Sequence, residues 1–289
     1  MLLLRLALLI CACYGVTLFC LKQTDGFSIL RITAELPTST DWKDTPLAEE
    51  QRREVEQALK QTYRYLGSGG QCFAFVSEDE RYVLKLFLTP FHLLSAHSLQ
   101  TLPIFPAKKR QAKTERALAK LRRDFTSYQI ASEELRQETG VLYVHLDKSA
   151  SFFTERLRLI DKLGIAHEID LASHFFALQR KATLLYTHLE KLIEDGHLQE
   201  AKEAMRALIA LCVARDRKGI ADRDLKIKRN CGFIENRPLF IDIGRFERDA
   251  TRTCEAVYLP DAKQLAETLS DWIQTHYPQH APYFHEILS

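Results

Sequence analysis

The chain is 289 residues long and 46% hydrophobic, with 40 Lys and Arg against 38 Asp and Glu, for a formal charge of +2. This supports the core of one large domain or two small lobes and excludes a disordered chain, while the near-neutral balance gives no global attraction to nucleic acid or anionic lipid. Seven cysteines (Cys11, Cys13, Cys20, Cys72, Cys212, Cys231 and Cys254) show no C-x-x-C spacing. That argues against a disulfide framework or a zinc site and fits a reducing compartment.

Residues 1–21 are apolar apart from Arg5, and Lys22 closes the run. At ~1.5 Å rise per residue this helix crosses ~30 Å of hydrocarbon. Residues 1–22 are read as a transmembrane anchor, with the remainder cytoplasmic. The competing reading is a cleavable secretory signal, which gives a secreted protein. One Arg before the run and one Lys after it hardly specify orientation.

Residues 23–46, with Pro37, Thr38, Ser39, Thr40 and Pro46, read as a linker. Pro46 to Lys60 is helical. A three-stranded meander follows at Tyr63–Leu66, Cys72–Val76 and Tyr82–Phe87. After a proline-punctuated stretch to Pro106, a long helical pattern covers Ala107–Glu138, with a weak point near Asp124. Val141–Leu146 and Glu155–Leu163 read as strands. From His167 to Arg217 apolar residues recur at helical spacing. Strand character returns at Gly232–Ile234 and Pro238–Ile243, and a last helix covers Ala262–His276. The class is α+β, without internal repeats.

Gly67, Gly69 and Gly70 fall between two predicted strands. Lacking Cβ atoms, they let backbone N–H groups approach phosphate oxygens; an ordinary glycine-rich hairpin is the plain alternative. Lys85 interrupts the apolar strand Tyr82–Phe87, where it either reaches solvent or meets an anion. The stretch from Asp222 to Asn230 and the run Phe240-Ile241-Asp242-Ile243-Gly244 carry the remaining polar signals. A solvated turn and edge hairpin, with Asp222 and Asp224 capping backbone amides, would account for most of them. It accounts least for Asp242, a carboxylate amid Leu239, Phe240, Ile241 and Ile243. The basic run Lys108 to Arg116 reads as a solvated face, with anionic lipid as an alternative partner. His92, His97, His145, His167, His174 and His188 show no metal-ligand spacing.

Together these stretches resemble the protein-kinase superfamily. Asp222-Arg223-Asp224-Leu225-Lys226 is similar to the catalytic-loop pattern His-Arg-Asp-Leu-Lys, and Asp242-Ile243-Gly244 is similar to Asp-Phe-Gly. Lys85, 16 residues after Gly69, stands where that family keeps its phosphate-orienting lysine. The resemblance implies a kinase-like two-lobed fold: an N-lobe at 47–165 with a small antiparallel sheet, and a mostly helical, shortened C-lobe at 166–289. It implies a phosphotransferase using ATP and Mg²⁺, with Gly67, Gly69, Gly70 and Lys85 on the phosphates and Glu133 as the lysine's partner. Asp224 would act on the acceptor, Lys226 would neutralise the transferring group, and Asn230 and Asp242 would hold the metal. The acceptor, a small molecule, a lipid-linked sugar or a protein, is not named by the sequence. The alternative is a pseudokinase-like binding module without useful turnover. Cys72 replaces the loop's third glycine, Asn230 follows Asp224 by six residues rather than five, and only 45 residues follow Gly244.

Overall fold

A computed structural model describes residues 2–33, 42–88, 107–147, 156–224 and 226–284. The proline-punctuated stretch with His92 and His97, the middle of the expected linker, and Leu225 lie outside these residues.

The first helix, α1 (Leu2–Thr24), is apolar and unburied. Its segment Leu4–Thr24 has a mean hydropathy of 2.1, and it is long enough to cross a membrane, a property that an N-terminal signal sequence shares. A short helix α2 (Ile29–Ile32) and the helix α3 (Glu49–Leu59) follow. In α3 the buried Val55, Ala58 and Leu59 recur three and four apart, which sets one apolar face on the core.

The chain divides into two compact units: residues 1–121 with 142–179, and residues 122–141 with 180–289. The first is built on a seven-stranded sheet of β1 (Tyr63–Ser68), β2 (Cys72–Ser77), β3 (Tyr82–Phe87), β4 (Val141–His145), β5 (Arg156–Ile160), β6 (Ala166–Asp170) and β7 (Phe176–Arg180). The strand order is β4-β7-β3-β2-β1-β5-β6, and the β1–β5 pair is parallel. The expected meander is therefore the centre of a larger, mixed sheet rather than a small antiparallel one. Its core includes Phe73, Phe75, Leu84, Leu86, Leu157, Leu159 and Phe176.

The expected boundary at 165/166 falls inside the β5–β6 hairpin, where Ile160 pairs with Ala166. The stretch expected to be helical from His167 begins with strands. In Phe176–Arg180 four consecutive residues are buried, so the polar alternation that marks a strand is missing. Nor is 23–46 simply a linker. Phe27 and Ile32 belong to the core, and Phe27 packs edge-on against Phe73 and Phe75. Asp44 accepts the amides of Leu146 and Asp147, each at 2.8 Å, and the Tyr143 hydroxyl at 2.5 Å.

Helix α4 (Ala107–Glu133) runs unbroken through Asp124, and a turn α5 (Arg136–Thr139) follows. The second unit contains β8 (Thr183–Leu184), α6 (Leu185–Glu194), α7 (Leu198–Arg217), β9 (Ile220–Asp222), α8 (Ile227–Asn230), β10 (Cys231–Ile234), β11 (Arg237–Phe240), β12 (Phe246–Arg248) and α9 (Glu255–His276). Helices α7 and α9 pack together, β8, β10 and β11 form one small sheet, and β9 pairs with β12. Helix α9 begins at Glu255, earlier than expected, and takes Pro260 into its second turn.

Candidate functional site

In the first unit, β1 and β2 pair from Tyr63 with Ser77 to Ser68 with Phe73, and the chain turns at Gly69 and Gly70. The Gly69 amide donates to the Cys72 carbonyl at 2.9 Å. A Cβ added at Gly67 or Gly70 would meet nothing within 4 Å, so the protein's own packing does not demand glycine there. None of the three loop glycines has a positive φ; the property that distinguishes them is a bare, open backbone. Lys120 of α4 donates to the Gly70 carbonyl at 2.7 Å. Lys85 pairs in register with Ala74 and is 7% exposed, which removes the solvent-facing reading.

In the second unit the hairpin β9–β12 places Asp222 opposite Phe246 and leaves residues 223–224 and 226–230 to turn beside it. Asp222 accepts the Asp224 amide at 3.0 Å, the local capping that the plain alternative anticipated. Asn230, 5% exposed, donates its side-chain amide to the Asp224 carbonyl at 2.5 Å. The Asn230 carbonyl accepts the Ile241 amide at 2.6 Å and the Asp242 amide at 3.4 Å. One residue thus ties the 222–226 segment to the 241–244 turn. Asp224 is paired with Lys226 at 2.7 Å, and both are well exposed.

Asp242 is exposed rather than embedded among its apolar neighbours. Strand β11 ends at Phe240 and the chain turns, so Phe240 and Ile243 go inside while Asp242 stays out. Its Oδ1 accepts the Gly244 amide at 3.2 Å. The remaining Asp242 oxygen and the Asn230 amide oxygen are the hard donors that Mg²⁺ takes, and an ion that retains waters and phosphate oxygens needs no more than one or two protein ligands. Among the described residues no three His, Cys, Asp or Glu side chains gather as a metal site by themselves.

Two supporting groups carried no sequence signal. Ser127 of α4, fully buried, donates its hydroxyl to the Ile243 carbonyl and accepts the Phe246 amide at 2.6 Å, which fixes the turn that carries Asp242. Arg215, 1% exposed, donates Nε and Nη2 to Asp216 at 3.0 and 2.7 Å, and its guanidinium lies 5.2 Å from the Phe240 ring centroid. Its Nη1 is 3.8 Å from Asp222 Oδ2. A buried arginine thus stands near the position where the kinase pattern has histidine. Burial pushes the Asp222 carboxyl above the ordinary carboxylate range, against the pull of the Asp224 amide and Arg215.

Of the residues singled out in the sequence, Asp224, Lys226, Asn230 and Asp242 are brought together in the second unit. Gly67, Gly69, Gly70 and Lys85 belong to the first. Glu133 is exposed at the end of α4, in the second unit.

No family profile and no curated protein matches the chain. Among solved structures it is similar to WbdD in a co-crystal with a kinase inhibitor, at 15% identity and a TM-score of 0.29, over 63% of this chain and 32% of that one. It is also similar to a medium-resolution structure of the bifunctional kinase-methyltransferase WbdD, at 13% identity and a TM-score of 0.30, over 65% and 34%. The chain therefore spans about a third of the length of the structures it matches. A superposition at that level assigns this chain neither a fold family nor an activity.

Proposed function

We propose that this chain is a kinase-like phosphotransferase that uses ATP and Mg²⁺ and is held at a membrane by its N-terminal helix. The observation that carries the reading is the double role of Asn230, whose side chain holds Asp224 and whose carbonyl receives Asp242. The acceptor-activating carboxylate and both candidate metal ligands are thereby gathered by one residue. In this reading Asn230 and Asp242 hold Mg²⁺, Asp224 orients the acceptor hydroxyl, and Lys226 offsets charge on the transferring group. The open loop at Gly67–Gly70 and the buried Lys85 serve the phosphates. Glu133 is left out, because the counter-charge of a buried ammonium has to be buried with it.

A second reading, a nucleotide-binding module without turnover, is favoured by the Asp224–Lys226 pair, which occupies the carboxylate that would serve the acceptor.

The test is thermal unfolding of the full chain in detergent with ATP, with and without Mg²⁺. Ligand at a hundred times its Kd stabilises by about 2.7 kcal/mol. The expected result is a stabilisation whose Mg²⁺-dependent part disappears in Asp242→Asn; an unchanged melting curve at saturating ATP would sink both readings. ATP hydrolysis that Asp224→Asn abolishes selects the enzyme over the binding module.

A further inference from the structure

The second unit contains a cavity of about 630 Å³ along α9, bordered by the end of α7 and by residues 226–228. Three polar atoms in its lining residues are buried without a hydrogen-bond partner: Arg215 Nη1, Asp222 Oδ2 and Arg252 Nε. The side chains of Arg215 and Asp222 are only 1% and 2% exposed. Such orphans are costly to leave unmade, and when they cluster at a cavity they point to a group that is meant to enter.

Their chemistry narrows that group. Arg215 Nη1 offers a hydrogen, Asp222 Oδ2 receives one, and the two stand 3.8 Å apart. This is too far for a direct hydrogen bond and is a separation that one oxygen at about 2.8 Å from each would bridge. A neutral oxygen that accepts from a guanidinium and donates to a carboxylate is that of a hydroxyl or of water. An ionised carboxylate has no hydrogen to give Asp222, and a phosphate that keeps a proton still brings a negative charge that Asp222 repels. Arg252 forms ion pairs through Nη2 with Asp216 at 3.3 Å and Asp261 at 2.7 Å, and its Nε is a second donor beside them.

Along the same helix the cavity is walled by rings: Trp272 stacks on Tyr186 at 4.6 Å and on His276 at 5.2 Å. Asp261 and Trp272 are eleven residues apart, about 16 Å along the axis. The cavity is therefore elongated, polar towards Asp261 and aromatic towards Trp272.

We propose that this cavity binds a polyhydroxylated small molecule, with one hydroxyl seated between Arg215 and Asp222, a second oxygen on Arg252 Nε, and its carbon skeleton extending towards Trp272. Lys226 lines the cavity and is paired with Asp224, so this ligand is the phosphate acceptor; that last assignment rests on the phosphotransferase reading, whereas the binding site does not.

Ligand-detected saturation-transfer NMR on the full chain in detergent, without ATP, tests it, with glucose, maltose and maltotriose as probes and inorganic phosphate as the anionic competitor. The expected result is transfer to the sugar protons, stronger for the longer probes and undisturbed by phosphate. Asp222→Asn is expected to weaken binding about tenfold, as for one lost hydrogen bond to a charged group. Trp272→Ala provides a second variant at the opposite end, and circular dichroism checks that both are folded. No transfer from any probe means that water alone fills the gap and overturns the proposal; so does displacement by phosphate, or transfer that both folded variants leave intact. Sugar binding without an ATP-dependent melting shift would retain the cavity and discard the transfer reaction, and the reverse would do the opposite.

Discussion

Asn230 donates its side-chain amide to the Asp224 carbonyl from a site that is 5% exposed. Removing it in Asn230→Ala takes one of the two donors from the Asp224 carbonyl, leaving only the Lys226 amide at 2.8 Å, and empties a buried side-chain site. The expected loss is about 1–3 kcal/mol in urea unfolding. The exposed Asp242 has no comparable structural duty, so Asp242→Asn is expected to stay within about 0.5 kcal/mol of wild type. Equal stability losses in the two variants would contradict this division between holding and binding.

Ser127→Ala removes both the donor to Ile243 and the acceptor for Phe246 from a fully buried position. About 1–3 kcal/mol of destabilisation is expected. Hydrogen exchange localises the effect: the Phe246 amide should lose protection well before amides of α7. Unaltered protection at Phe246 would show that the serine does not hold the turn.

Arg215→Met preserves much of the side-chain volume but leaves Asp216 and Asp222 buried without their arginine. Breaking a buried pair in this way costs about 3–5 kcal/mol. Adding Asp216→Asn to the same chain is expected to recover part of the loss, because it removes a buried charge left with Arg252 alone as its counter-charge. No recovery in the double variant would show that the arginine acts by packing alone.

Gly232 in β10 lies so close to its neighbours that an added Cβ would meet the Thr183 carbonyl at 2.4 Å and Ile241 Cδ1 at 2.5 Å. Gly232→Ala has to push β8 away, and overpacking of this kind costs about 1–3 kcal/mol. Chemical denaturation is the measurement; a neutral substitution would mean that β8 is not held against β10.

Lys162 and Tyr65 hold the Asp25 carboxyl below its ordinary value. A group depressed in the folded state contributes stability that is complete above its unfolded pKa, near 3.9, and lost as pH falls through the lower folded value. Carbon-13 NMR of the Asp25 carboxyl should give a midpoint below about 3.9, and Lys162→Ala should raise it. A midpoint unmoved by that substitution would mean that the pair does not form in solution.

The sequence made the central strands legible because alternation and glycine mark them, and Cys72–Ser77 and Tyr82–Phe87 appear where expected. It did not show that β5 joins β1 in parallel, because that pairing links residues nearly a hundred positions apart without any local mark. Phe176–Arg180 was missed because complete burial erases periodicity. The candidate residues Asp224, Asn230 and Asp242 stood out through a motif; Ser127 and Arg252 did not, since a serine in a helix and an arginine in a single 3₁₀ turn acquire their contacts only from partners elsewhere in the chain. Asp242 was expected for an inexact reason, as a buried carboxylate, whereas it lies on an exposed turn.

Asp25 follows directly on the last residue of the apolar helix, and its carboxylate is bound at once to β1 through Tyr65 and to the β5–β6 hairpin through Lys162. The coupling has no slack, since Phe27 is already in the core two residues later. In a bilayer such a joint is a bracket rather than a leash. With α1 in a bilayer, the first unit would be tied to it through single side chains, so its distance from the lipid would be set by that joint and not by a flexible tether.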